Sequence, residues 1–442
     1  MTKRSPFYWI GLSMMILVTH QANAAQDCQA VLTSPLSLES AVNYGLCHHP
    51  QSQHVWAQLA VQKAGLAISQ DSNKPALSLQ ASTANTWQAG DSQSSMSLQA
   101  QLNYLLFDFG ERKASQQQAR YLLDAAQLML DTTIQSLSKD IVTAYLAVLK
   151  VQAQIDAKQR AVTAAQQTYR DAEARYQVGS GTPLEVVQAK AALAQTQLVL
   201  IQTQSQLANS RGALALAIGL SPPKLPALSP ITNLYTPNSL TEQQLSQWLQ
   251  QSQQHSDIRI EQANLEAAKQ AVLTARSANK PSVSLSANSG WQDRDGSAQD
   301  STGLALNLTV PLDIGGAKQA RIQQALAKQQ AQEASLLASQ QQVEQTVWQA
   351  FYELQAAVAT IHAAQESVAS SDKALKVALA RYQMGLSTML DVLNAQSVLA
   401  NSQLQQVNAQ YDGLTARVAL SYRLGESLQP TIQQFSTEPS AP

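Results

Sequence analysis

The sequence repeats itself, and that fact restricts its folds more than any other. Arg175-Tyr176-Gln177-Val178-Gly179 recurs as Arg381-Tyr382-Gln383-Met384-Gly385, 206 positions later. Leu184-Glu185-Val186-Val187-Gln188-Ala189 recurs as Leu390-Asp391-Val392-Leu393-Asn394-Ala395 at the same spacing. Pro75-Ala76-Leu77-Ser78-Leu79 matches Pro281-Ser282-Val283-Ser284-Leu285, again at 206. Leu106-Phe107-Asp108-Phe109-Gly110 matches Pro311-Leu312-Asp313-Ile314-Gly315 at 205, so one residue is lost between. A fixed spacing of this kind means one structural unit built twice. The joint, residues 221–240, holds Pro222, Pro223, Pro226, Pro230 and Pro237 and reads as a non-helical linker.

Each unit has the same predicted order: a helical stretch (about 37–73 and 240–279), two strands, one very long helix, a glycine turn and a returning helix. The strands alternate. Over 77–87 the odd positions are Leu77, Leu79, Ala81, Thr83, Asn85 and Trp87, separated by polar residues. Over 96–106 the even positions are Met96, Leu98, Ala100, Leu102, Tyr104 and Leu106. Val283, Leu285, Ala287 and Trp291, then Leu304, Leu306, Leu308 and Val310, repeat the pattern. One apolar face and one uncharged polar face over about ten residues suit a transmembrane β-strand. A soluble sandwich hairpin alternates too. Membrane barrels need about eight strands or more, so four per chain imply several chains. Trp87 and Trp291 end the outward rows, where a membrane–water interface favours tryptophan.

From Glu111 to Gln177 there are 67 residues without glycine or proline. As one helix this run is ~100 Å long. Its apolar seam alternates three- and four-residue steps through Ile134, Leu137, Ile141, Ala144, Val148, Val151, Ile155, Val162, Ala165, Tyr169, Ala172 and Tyr176, broken only at Lys158. Val347, Leu354, Ile361 and Tyr382 fall 206 after Ile141, Val148, Ile155 and Tyr176, so both seams share one register. The returning helices continue it through Leu184, Val187 and Ala191, and through Leu390, Leu393 and Ser397. Each long helix and its return therefore form an antiparallel coiled-coil hairpin. The strand pairs and the glycine turns lie at opposite ends, ~100 Å apart.

The N-terminus adds a compartment. Lys3 and Arg4, the apolar Phe7–Val18 and the small-x-small Ala22-Asn23-Ala24 make residues 1–24 a secretory signal peptide. Phe7–Val18 is too short to span a bilayer, and no other run of 18 apolar residues follows. Export to an oxidising compartment favours a disulfide between Cys28 and Cys47, the two cysteines of the chain. The balance of 29 Lys+Arg against 30 Asp+Glu argues against a nucleic-acid partner.

The signal peptide, the duplication, the paired hairpins, the Arg-Tyr-Gln-x-Gly turns and the Phe-Asp-x-Gly junction at 107–110 together resemble the TolC family of outer-membrane export channels. The resemblance covers essentially the whole mature chain. It implies a mainly α fold with a membrane β-barrel contribution. Three copies, each with four strands, would close a 12-stranded barrel in the outer membrane of a Gram-negative bacterium. Below it the helices would form a periplasmic α-helical barrel. On this reading residues 25–220 are the first repeat, with strands about 75–107 and the helical hairpin about 110–220. Residues 241–426 are the second repeat, with strands about 281–311 and the hairpin about 315–425; 427–442 are a tail. The partners implied are two further copies, a periplasmic adaptor, an inner-membrane transporter (ABC or proton-driven) and outer-membrane lipid. No cofactor is implied.

In that family the tip is the gate. By position, Asp391 falls on the principal acidic ring, Asn394 where some members have a second aspartate, and Glu185 on the acidic lock of the first hairpin with Tyr382 as its partner. Ser387 stands where the best-known member has an arginine, which suggests a looser or differently locked tip. Three Asp391 carboxylates around one axis would attract cations and repel anions. The favourable placement of acids at helix N-termini is a sufficient local cause for both acids. Gly179 and Ser180, and Gly385 and Leu386, resemble the tips where adaptor hairpins dock, although glycine in a tight turn needs no further reason. His48, His49 and His54 are close in sequence but lack a thiolate or carboxylate pattern for a metal. No nucleophile elbow or phosphate loop is present, so no catalytic constellation is found. A periplasmic adaptor is the competing reading. Adaptors normally carry one coiled-coil hairpin per chain, against the two here.

Overall fold

The computed structural model describes residue 32 and residues 34–88, 91–231, 240–294 and 296–436. The signal peptide and Cys28 lie outside them. The duplication appears element by element. The first unit runs α1 (Leu38–His48), α2 (Pro50–Asp71), β1 (Ala76–Gln88), β2 (Asp91–Phe107), α3 (Glu111–Gln177) and α4 (Pro183–Ala217). The second runs α5 (Glu242–Gln251), α6 (Ser256–Ser277), β3 (Ser282–Arg294), β4 (Ser297–Thr309), α7 (Ala317–Gln383) and α8 (Met389–Arg423), followed by α9 (Gln429–Ser436). Helices α3 and α7 have 67 residues each, α4 and α8 have 35 each. The two helical stretches expected ahead of the strands are each broken, at His49-Pro50 and at residues 252–255. Proline cannot continue a helix but begins one well.

The four strands form one antiparallel meander in the order β1-β2-β3-β4. Leu79 pairs with Ala100, Ala100 with Ser289 and Ser289 with Thr302; one step along, Leu77 pairs with Leu102, Leu102 with Ala287 and Ala287 with Leu304. This register gathers the apolar rows of both hairpins on one face. That face is bare: Leu77, Leu79, Leu304, Leu306 and Leu308 are all exposed. The opposite face carries serine, glutamine and asparagine, joined by bonds such as Ser82 Oγ to Ser97 Oγ at 2.8 Å and Asn307 Nδ2 to Ser286 Oγ at 3.0 Å. Among the described residues the outer edges of β1 and β4 have no neighbouring strand. The two tryptophans are not level. Trp291 pairs with Leu98, which pairs with Ala81, six positions before Trp87.

Long helices descend from this sheet. α3 packs beside α2 and α6 near the strands and beside α4 and α8 farther down, while α7 packs beside α6 and α8. Leu137, Ile141, Val148, Val151, Val162, Ala165 and Ala172 of the α3 seam are buried, as are Val343, Val347, Leu354 and Ile361 on α7. Lys158 finds a partner, donating from Nζ to Thr203 Oγ1 at 2.7 Å.

Mid-way along α3 lies a thicker belt that a two-helix seam does not foresee. Val142, Tyr145, Leu146 and Leu149 form a second buried stripe against α1, α9 and the chain around Leu36. α9 begins inside what sequence read as a tail; Ile432 and Phe435 enter this core. The belt is tied across the fold by a parallel bridge between Leu36 and Leu228. Tyr145, fully buried, donates to Leu36 O at 2.9 Å and Ser229 O at 2.7 Å, and burial pushes its phenol up to about 12. Tyr145→Phe removes this donor at both carbonyls and is expected to cost about 1 kcal/mol. A lower urea midpoint for dissociation of the detergent-solubilised protein checks it; an unchanged midpoint makes the tie incidental.

The candidate channel tip and its anchorage

The strand-to-helix junction shows how the membrane end is fixed to the long helices. Phe109 and Gly110 adopt positive φ (51° and 92°), which turns the chain from β2 into α3. The Asp108 carboxylate, itself buried, accepts from Gly110 N at 3.1 Å, Arg112 N at 2.9 Å and Arg112 Nε at 2.9 Å. Burial pushes this carboxyl up. The hydrogen bonds from Arg112 and Gly110, with the Arg112 charge, outweigh it and hold the pKa below the usual aspartate value. Asp313 does the same work more weakly, accepting from Lys318 N at 3.1 Å and Gln319 N at 3.3 Å. Phe107 and Phe109 sit edge to face, 4.7 Å apart and both exposed, at this end of the sheet.

At the other end, each long helix stops in the same way. Gly179 (φ 75°) and Gly385 (φ 73°) close the last turn, and Ser180 N and Leu386 N bond back to Arg175 O and Arg381 O at 2.9 and 2.8 Å. The returning helices start with capping boxes. Thr182 N donates to Glu185 Oε2 at 3.1 Å and Glu185 N to Thr182 Oγ1 at 3.4 Å. Thr388 N and Oγ1 both donate to Asp391 Oδ2 at 2.8 Å, and Asp391 N returns to Thr388 Oγ1 at 3.3 Å. The signal for this was the Thr-x-x-Glu/Asp spacing, a capping-box pattern. The backbone and side-chain bonds from Thr388, with the charge of Arg381, hold the Asp391 carboxyl below its ordinary pKa, so it is ionised at neutral pH.

The structure brings Tyr382 and Glu185 to one place. Tyr382 is buried among Ala172, Ala189, Met389 and Val392, and the Arg175 guanidinium stacks over its ring at 4.7 Å. Burial first, then the nearby Glu185 charge, raise the pKa of this phenol. Its buried hydroxyl nevertheless makes no hydrogen bond of ordinary geometry. The Glu185 carboxylate is spent on its own cap. Ser387 turns inward, donating weakly to Ala378 O at 3.4 Å. Asp391 and Asn394 are exposed. Gly179, Ser180, Gly385 and Leu386 form the outermost points of the two turns and are exposed, with Val178, Met384 and Leu184 bare beside them.

The histidines have local duties. His49 Nδ1 accepts from Gln51 N at 3.2 Å at the start of α2, and His255, 206 positions on, accepts from Asp257 N at 3.2 Å at the start of α6. His48 stacks on Tyr44 at 4.1 Å. Among the described residues no group of three metal-binding side chains occurs, and no helix is long and apolar enough to cross a membrane. Cys47 lies in the last turn of α1 and carries no free thiol; its expected partner Cys28 lies outside the described residues.

An amphipathic sheet with a lipid-type outer face, carried on helices ~100 Å long, defines a β-barrel membrane channel with a long helical extension. Comparison with known proteins agrees. The model of the family described as outer membrane efflux protein matches residues 42–220 and 248–426. Protein CyaE of Bordetella pertussis is 28% identical over 408 residues, 90% of this chain and 85% of that protein. The pyoverdine export outer membrane protein OpmQ of Pseudomonas putida is 30% identical over 336 residues, 74% of this chain and 70% of that protein. The crystal structure of the outer membrane protein VceC from Vibrio cholerae superposes with a TM-score of 0.77 at 26% identity, covering 89% of this chain and 97% of that one. The chain belongs to the outer membrane efflux protein family. It is an outer-membrane exit duct of the TolC type, serving efflux or type I secretion.

Proposed function

We propose that three copies of the chain assemble into one passive duct, met at its tips by a periplasmic adaptor and fed by an inner-membrane transporter that supplies the energy. The number of copies and the partners follow the likeness to TolC-type channels; the observation that supports closure by several copies is the four-stranded sheet with a bare apolar face and two open edges. A flat sheet of four strands leaves unpaired N–H and C=O groups along β1 and β4, which cannot stand in lipid. Pairing β4 of one copy with β1 of the next removes every edge, and three copies give 3 × 4 = 12 strands.

The helical hairpins then line the periplasmic part, with the turns at its end. Asp391 supplies one ionised carboxylate per copy, giving a ring that favours cations, with Asn394 one helical turn on. Exposed Val178, Met384 and Leu386 offer apolar contact to an adaptor around Gly179, Ser180 and Gly385. Glu185 and Tyr382 close the tip within each copy. Replacing Glu185 by Gln and Tyr382 by Leu, which weakens the cap and removes the ring under Arg175, is expected to loosen it and raise single-channel conductance in planar bilayers. Asp391→Asn is expected to move the reversal potential in a salt gradient towards zero. An unchanged reversal potential would remove Asp391 from the pore. Cargo follows the pump: an ABC transporter gene beside this one favours polypeptides, a proton-driven pump gene favours small molecules.

A further inference from the structure

The duplication lets one observed contact predict another. Within the chain the two hairpin tips meet through two different surfaces. The first hairpin contributes Ala172, Arg175 and Ala189; the second contributes Tyr382, Met389 and Val392. Call these the socket and the plug. Because the repeat is 206 residues, the second hairpin must also carry a socket, and it does: Ala378, Arg381 and Ala395. The first hairpin likewise carries a plug: Tyr176, Pro183 and Val186.

In a single chain these two surfaces are only partly covered: Val186 packs on the edge of the filled cluster and Ala378 and Ala395 are half-buried, while Tyr176, Pro183 and Arg381 are exposed. Tyr382 is 7% exposed and its counterpart Tyr176 is 48% exposed. Ala172, Ala189, Met389 and Val392 are fully buried, whereas none of Ala378, Ala395, Pro183 and Val186 is. Arg381 is exposed where Arg175 is covered by the ring it stacks on. Each chain therefore has one filled socket between its hairpins, one open socket on its second hairpin and one open plug on its first. A surface that is complementary to a different surface of the same molecule gives head-to-tail contacts, which form a ring when the rotation between copies closes.

We infer that Arg381 of one copy stacks on Tyr176 of the next, reproducing between chains the Arg175–Tyr382 stack within each chain. This rests on the proposed three-copy duct and assigns the contact that joins neighbouring tips. The arginine and tyrosine are identical in both repeats, so the guanidinium-over-ring attraction is available at every junction. A three-copy ring would hold six such stacks, three within and three between chains. The between-chain stack offers a link at a tip where Ser387 cannot provide a charged one.

The test uses the full chain extracted from outer membranes, carrying Tyr176→Cys together with Arg381→Cys and treated with a short bismaleimide. The expected result is conversion of the single-chain band on a denaturing gel into two- and three-chain species. Each single variant should remain a single chain. The Arg175→Cys, Tyr382→Cys pair should instead cross-link within one chain, changing mobility without adding mass. If sizing before treatment shows three copies but the double variant stays a single chain, the inferred contact is wrong and the duct stands. If sizing shows a single copy, the assembly beneath both is wrong. A second readout covers a variant that assembles poorly: Tyr176→Phe, which keeps the ring, should preserve wild-type conductance, and Tyr176→Leu should raise it. Equal conductance in both would overturn the stack.

Discussion

Leu304→Arg is expected to abolish the assembled protein in the outer membrane, while Ala305→Arg, one residue on, leaves it intact. Leu304 lies near the middle of β4, is 74% exposed in the chain and pairs with Ala287 on the apolar face. An arginine facing lipid near the bilayer centre costs about 2–4 kcal/mol. Three copies per duct would carry about 6–12 kcal/mol, comparable to the entire stability of a typical folded protein. Ala305 pairs with Ser286 on the opposite face, among serine and asparagine. A charge there meets water in the lumen. The readout is the amount of heat-modifiable oligomer in outer-membrane fractions. Equal loss in both variants would mean that the two faces have been assigned the wrong way or that neither faces lipid.

Asp108→Ala should be the second severe change, and Asp313→Ala its mild counterpart. Removing the Asp108 carboxylate strips three donors of their acceptor and leaves the Arg112 guanidinium, a mostly covered charge, with only Ser72 O at 3.4 Å. Loss of one partner of a largely buried ion pair costs about 3–5 kcal/mol. Asp313 is exposed and makes only two longer bonds to backbone N–H groups, so its loss costs about 1 kcal/mol, the ordinary value of a helix cap. The temperature at which the detergent-resistant oligomer dissociates compares the two. Because the Asp108 pKa is depressed, its contribution is complete at pH above the ordinary aspartate value and is lost only as pH falls through the lower folded one. The gap between wild type and Asp108→Ala should therefore hold from neutral pH down to mild acid and close in strong acid. Equal dissociation temperatures for the two variants would contradict the asymmetry of the junctions.

The parts of this fold that obey a simple period could be read from the chain. Alternation placed Leu77, Leu79, Leu304 and Leu306 on one face, and the absence of glycine and proline from 111–177 set the length of α3. The belt around Tyr145 could not be read that way. A helix packed on one side has one apolar stripe, and Ile141 and Val148 supply it. A helix clasped from two sides needs a second, and Val142, Leu146 and Leu149 look like noise in a two-helix seam. The Leu36–Leu228 bridge joins segments nearly two hundred residues apart with no repeat to announce it. At the tip, the acids were visible as helix-start residues, but their capping partners Thr182 and Thr388 went unread. The two tryptophans were expected to end equivalent rows. They differ in level by six positions: two because Trp291 falls 204 rather than 206 after Trp87, and four because β3 is staggered by four residues against β1.

One chain by itself is an incomplete sector of a channel. The native mass of the protein extracted from outer membranes in mild detergent, corrected for bound detergent, tests it most directly. The expected mass is that of three chains, the assembly proposed above from the likeness to TolC-type channels; the open edges of β1 and β4 by themselves require a closed ring of several copies. A particle with the mass of a single chain would contradict it, since β1 and β4 would then stand in lipid with their backbone edges unpaired.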